Sequence, residues 1–139
     1  MKEIKIQPFP LMFFLWGILF IHFGAGEIWS RASISLDGTI ISSNTLCAPD
    51  NQYRCRSTYI LRSNQSDQEV KYQATGNDAS LPKKLPLGTR IHKVKYLLAY
   101  EINGQINDDF PVDFYKFFAA VGLAFVTTGT IQLVGQRRR

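Results

Sequence analysis

Charged side chains are missing from two long stretches, the 21 residues between Lys5 and Glu27 and the 20 residues between Lys116 and Arg137. A surface helix of a water-soluble protein needs a polar face, so neither stretch suits that setting. A hydrocarbon slab about 30 Å thick is crossed by roughly 20 helical residues, and each stretch has that length. Two transmembrane helices are therefore expected, at residues 8–28 and 113–135. Histidine and cysteine are scarce, with two of each. No paired Cys or His spacing provides a metal-ligand set. A phosphate-cradling glycine loop and a nucleic-acid motif are also missing, so neither a cofactor nor nucleic acid is implied.

Between the spans lies a polar segment, residues 29–112, expected to form a separate domain. Lys2 and Lys5 precede the first span, and Arg137, Arg138 and Arg139 follow the second. By the positive-inside bias, residues 1–7 and the basic tail 136–139 face the cytoplasm and the middle lies outside. A plasma membrane, the inner membrane of a bacterium, is the expected location. The rival reading of the N-terminus is a cleaved signal peptide, since a basic start, the apolar run Leu11 to Ile21 and small residues at Gly24-Ala25-Gly26 fit that pattern. Retention as an anchor is the expectation.

Cys47 and Cys55 flank a polar loop, Ala48-Pro49-Asp50-Asn51-Gln52-Tyr53-Arg54. A bridge between them suits the oxidising side of a membrane. Two free thiols and, last, a metal site are the alternatives.

The first span is rich in aromatic residues, which lipid contact explains, and Trp29 suits the outer interface. Gly17 and Gly24, seven apart, share a helical face open to close packing. In the second span Ala120, Ala124 and Thr128 recur every four residues, followed by Gln132, whose amide needs a hydrogen-bonding partner. That stripe is expected to pack either on the first span or on a helix of another protein. His22 and Lys116 fall near the span boundaries rather than at mid-membrane, which disfavours conduction.

The middle segment alternates with the two-residue period of strands. A strand is expected at Ser33 to Ser42, bulged or broken near Asp37-Gly38. Another at Tyr53 to Arg62 pairs as a hairpin with Glu69 to Ala74. A loop with two prolines and two glycines, Thr75 to Gly88, follows. The last strand, Arg90 to Ile102, turns at Asn103-Gly104 into Gln105-Ile106-Asn107. The fold class is a membrane protein of α+β type, two helices flanking a small antiparallel β domain, either a sandwich or a partly open barrel.

Gly38-Thr39-Ile40-Ile41, Lys95-Tyr96 and Tyr100-Glu101-Ile102-Asn103-Gly104 follow one another in an order that resembles the bacterial membrane proteins grouped as domain of unknown function 3592. The resemblance implies a span, an external β domain and a second span. It transfers no catalytic residues. The Cys47–Cys55 segment is additional to that pattern.

No convergent nucleophile, base and charge stabiliser stands out, and an enzyme is not expected. His92 sits in a strand among cations, and Asp108 with Asp109 reads as a solvated junction. Arg54, Arg56 and Arg62 share a strand face, and Lys83 and Lys84 lie elsewhere in the domain. These residues suit anionic lipid or an envelope polymer. Two functions follow. The first is a non-catalytic accessory or scaffold subunit, embedded in the bilayer and packing on other membrane proteins or on itself. The second is an external binding or sensing module for an anionic envelope component.

Overall fold

The computed structural model describes residues 8–49 and 51–137, with side chains for all of these except 51–54 and 137. The described residues form α1 (Pro8–Ser33), β1 (Leu36–Ala48), β2 (Asn51–Arg62), β3 (Glu69–Ala74), β4 (Arg90–Lys93), β5 (Tyr100–Ile102), β6 (Gln105–Asn107) and α2 (Val112–Arg137). Two long apolar helices thus flank an antiparallel sheet in sequence. The chain divides into two compact units: the helices, up to Glu27 and from Pro111, and a domain of Ile28–Phe110.

Each helix has 26 residues, about 39 Å of length at 1.5 Å per residue, and is long and apolar enough to cross a membrane. Phe9, Leu15, Leu19, Leu123 and Ile131 are exposed, unlike the apolar side chains of a soluble core helix. The helices pack antiparallel on a seam of glycines. A Cβ on Gly17 would lie 2.7 Å from the carbonyl oxygen of Gly122, and one on Gly129 would lie 3.0 Å from that of Pro10. Gly24 meets Tyr115 and Ala119 as closely. Only hydrogen fits there, so the two backbones touch. Beside the seam, Phe13 packs on Phe125, and Phe20 and Phe23 pack on Phe118, with ring centroids 5.4, 5.7 and 5.4 Å apart. These aromatics, which the sequence assigns to lipid, are in part the contact between helices. Thr127, Thr128 and Thr130 donate their hydroxyls to carbonyls one turn back, which satisfies them without water.

In the domain the strand order is β3-β2-β1-β4-β5-β6, all antiparallel. This is one sheet, not the two hydrogen-bonded sheets of a sandwich. β1 belongs to both halves, pairing through Leu36–Thr39 with β4 and through Thr39–Ala48 with β2. A bulge between Ile40 and Ser42 lies where it passes from one partner to the other, and such bulges bend a strand. A Cβ at Gly38 would sit 2.7 Å from the Arg62 carbonyl oxygen, so the Gly-Thr-Ile segment begins with the one residue the crossing tolerates.

One face of the sheet forms the core, with Leu36, Ile40, Tyr59, Leu61, Ala74, Ile91 and Tyr100 buried together under Leu81 of the long loop. That loop has no regular structure, yet its backbone is held. Tyr59 donates to the Pro82 carbonyl at 2.9 Å and accepts from the Leu85 amide at 3.2 Å, and Tyr72 accepts from the Leu81 amide at 2.9 Å. Burial pushes the Tyr72 hydroxyl above its ordinary 10.0.

Two boundaries differ from expectation. β1 does not stop at Ser42 but runs to Ala48, because its outer half is paired with β2. The Arg90 to Ile102 segment is two strands, with Ile91 opposite Ile102, broken by a turn at Val94–Leu97. Asn103 and Gly104 have φ of 50° and 85°, as a two-residue hairpin turn of the primed kind requires.

Cys47 and Cys55 are cross-strand neighbours and form a disulfide. The bridge lies on an arm of the β1–β2 hairpin that extends past the last β2–β3 pair, Ser57 with Ala74. Replacing both cysteines with serine should weaken closure of this arm by about 2 kcal/mol. Hydrogen exchange on the full chain should show faster exchange between Thr45 and Ser57 and little change in β4, β5 and β6.

Candidate functional site

The most constrained cluster in the domain centres on Arg31, in the last turn of α1 and fully buried. Its guanidinium donates through Nε to the Leu98 carbonyl at 2.9 Å, through one terminal nitrogen to the Ser80 carbonyl at 2.9 Å, and through the other to Asp109 Oδ1 at 2.5 Å. Its cation stands 4.8 Å from the centroid of the Tyr100 ring and 5.9 Å from that of Phe110. A planar fork with five donors meets such divergent acceptors in a way that an ammonium does not. The Tyr100 hydroxyl donates to the other oxygen of Asp109 at 3.1 Å. Arg31 thus ties the start of the domain to its end, to the long loop and to the β4–β5 connection.

A second buried cation, Lys93, lies nearby. Its ammonium donates to the carbonyls of Ile34 at 3.4 Å, Val94 at 3.0 Å and Leu97. Burial, helped by the charge of Arg31, lowers its pKa from the ordinary 10.5. Both cations serve architecture: their donors go to backbone carbonyls and one carboxylate. An open recess of about 290 Å³ beside the knot is lined in part by Asn77, Asp78, Ser80, Lys83 and Asp109. Among the described residues no group of three His, Cys, Asp or Glu side chains is placed to hold a metal ion.

The residues singled out in the sequence do not converge. Gly17 and Gly24 lie on the seam between the helices. Ala120, Ala124, Thr128 and Gln132 do not: they are exposed, and the seam on α2 is made by Gly122 and Gly129 instead. Packing of that stripe on the first span is therefore not what the helices use. Gly122 and Gly129 repeat the seven-residue spacing of Gly17 and Gly24, and that match was the available signal.

The basic set is divided. Arg56 and Arg62 are exposed on the outward face of β2, with Arg62 3.6 Å from Asp67. The backbone of Lys83 lies on the opposite face, where the Ser57 hydroxyl donates to its carbonyl at 2.5 Å; Lys84 is exposed in the same loop. The side chains of Arg54 and Arg137, and all of Lys2, Lys5, Arg138 and Arg139, lie outside the described residues. His92 is a surface residue with Nδ1 3.4 Å from Asp37 Oδ1. Asp109, read from sequence as part of a solvated junction, is instead the partner of Arg31. That pair is 78 residues apart, beyond the reach of any local pattern.

No family model, no curated protein and no solved structure matches this chain.

Removing Arg31 takes the donor from Asp109 Oδ1 and from two carbonyls. Arg31→Met should cost about 3 kcal/mol or more, and Arg31→Lys should recover only part of it, as read by denaturant unfolding of the full chain in detergent. Alkali tests the same knot. Burial, the Asp109 charge and the hydrogen bond to Asp109 push the Tyr100 hydroxyl up to about 12 from 10.0. Its contribution to stability is complete below pH 10 and is lost as pH rises through 12. Lys93 has the opposite sign, since a lowered pKa penalises the charged folded state and the penalty fades as pH rises toward 10.5. Tyr100→Phe should therefore flatten the alkaline loss of stability above pH 10.

Proposed function

We infer that the chain is an integral membrane protein of a plasma membrane, crossing it twice, with both termini cytoplasmic and Ile28–Phe110 outside. In that setting it serves as a non-catalytic accessory subunit that packs laterally on another membrane protein or on a second copy. The architecture of the external β-module family proposed from the Gly38, Tyr96 and Tyr100 segments agrees with this reading.

The apolar belt exposed on both helices favours lipid as their solvent. Antiparallel packing puts Pro8 and the end of α2 at one end of the pair, so the connecting residues 28–110 emerge on a single side. A disulfide suits the oxidising side, and the basic residues beyond each span suit the cytoplasm.

The observation that carries the accessory role is the stripe Ala120, Ala124, Thr128 and Gln132, which the intrachain seam leaves uncovered. Small residues at that interval allow close backbone approach, and an amide facing hydrocarbon gains from a partner on another helix. The basic residues give less support to a separate anionic site, since Arg56 and Arg62 lie on β2 while Lys83 and Lys84 lie in the long loop.

The test is mass spectrometry of the chain released from membranes in lipid nanodiscs. The wild-type chain should emerge bound to a second polypeptide or a second copy. Ala124→Leu with Thr128→Leu should shift the population to monomer while the Cys47–Cys55 bridge still forms. A wild-type chain that is wholly monomeric would refute the accessory role.

A further inference from the structure

Two of the domain's tight turns differ in chemistry. At Asn103-Gly104 the left-handed backbone is occupied by residues that adopt it at little cost. At Val94–Leu97, closed by the Leu97 amide donating to the Val94 carbonyl at 3.3 Å, the third position is Tyr96 with φ of 71°. For a bulky aromatic that conformation is strained. The strain is held from two sides. The Tyr96 amide donates to the Ala32 carbonyl at 2.7 Å, one of the carbonyls that the end of α1 leaves without an internal partner. Beneath the turn, buried Lys93 gathers the Val94 and Leu97 carbonyls.

The effect is to turn the apolar side chains outward. Val94, Tyr96 and Leu97 are 46%, 63% and 56% exposed, and Trp29, whose ring centroid is 6.4 Å from that of Tyr96, is 64% exposed. The ammonium of Lys95 stands 5.2 Å from the Tyr96 ring centroid. Trp and Tyr with a neighbouring lysine is the composition that sits at the boundary of headgroups and acyl chains.

Resting on the membrane-spanning reading above, we propose that Trp29 and the Val94–Leu97 turn form a foot that inserts into the outer-leaflet interface of the bilayer, with Lys95 directed at lipid phosphate. Trp29 follows the first apolar run in sequence, within α1. Buried Lys93 and strained Tyr96 hold the turn in the displaying conformation.

The test uses the full chain, with its disulfide intact, in vesicles of phosphatidylethanolamine and phosphatidylglycerol. Nitroxide labels are placed through Val94→Cys or Leu97→Cys, with Leu19→Cys as a mid-span reference and Asn44→Cys as a reference on the hairpin arm. The expected result is a several-fold higher ratio of oxygen to nickel-chelate collisions at 94 and 97 than at 44. Equal ratios at 94, 97 and 44, with Leu19 in lipid, would overturn the foot and leave the spans standing. Shielding of 94 and 97 from both reagents would overturn it in favour of a protein partner. An aqueous label at Leu19 would overturn the spanning reading and the foot with it. If the labelled variants do not fold, Trp29 in a Trp16→Phe chain replaces them: quenching by lipids brominated near the headgroup is expected, and quenching by aqueous iodide alone would overturn the proposal.

Discussion

A domain inserted between two adjacent antiparallel helices has to begin and end at the same place, and Arg31 satisfies that constraint. Its guanidinium joins the last turn of α1 to Asp109, immediately before the chain leaves the domain, and holds Ser80 and Leu98 on the way. Tyr100 and Phe110 flank the cation, and Tyr100 shares the carboxylate. A fully buried charge is costly to desolvate, and a hydrogen bond from each of the three guanidinium nitrogens offsets that cost. Three other parts of the chain must therefore converge on Arg31 together. In this account the polar knot specifies which ends meet, and the apolar face of the sheet supplies the burial.

The same economy extends to the rest of the domain. The core is small, and the long loop over it contributes Leu81 and otherwise offers peptide groups that need partners. Tyr59 and Tyr72 provide both kinds of contact, burying their rings and spending their hydroxyls on the loop backbone. Lys93 does likewise for the turn at Val94–Leu97, with carbonyls in place of a counter-ion. Domains of this size bury a limited fraction of their surface, so polar side chains that fix backbone add order where apolar volume is limited.

Features resting on local composition were legible in the sequence. The two charge-free runs became long apolar helices, the alternation from Tyr53 to Arg62 and from Glu69 to Ala74 became a hairpin, Asn103-Gly104 became a turn, and the two cysteines paired. Features resting on pairing between distant residues were not. β1 outran its expected end because a polar strand is stabilised by its neighbour β2 rather than by its own pattern. The strand expected from Arg90 to Ile102 breaks after Lys93, where the Val94 and Leu97 carbonyls turn to the buried ammonium, an inward role that a basic residue in an alternating run does not announce. On the second helix two small-residue stripes compete, and only the seven-residue interval that Gly122 and Gly129 share with Gly17 and Gly24 distinguishes the pair that meets the first helix. The contact of Arg31 with Asp109 joins residues 78 positions apart, so no local pattern around Arg31 marks it.

The functional reading follows from this division of labour. The buried cations Arg31 and Lys93 are held by backbone carbonyls and Asp109, and the proposed interaction role rests instead on the apolar helix faces and the exposed aromatic turn. Closure by Arg31 and Asp109 is the claim on which the domain depends, and a double-mutant cycle on the full chain tests it most directly. With Arg31→Met, Asp109→Asn and the double variant compared by unfolding free energy, the account predicts a coupling of about 2 kcal/mol. Strictly additive effects, with no coupling between the two positions, would contradict it.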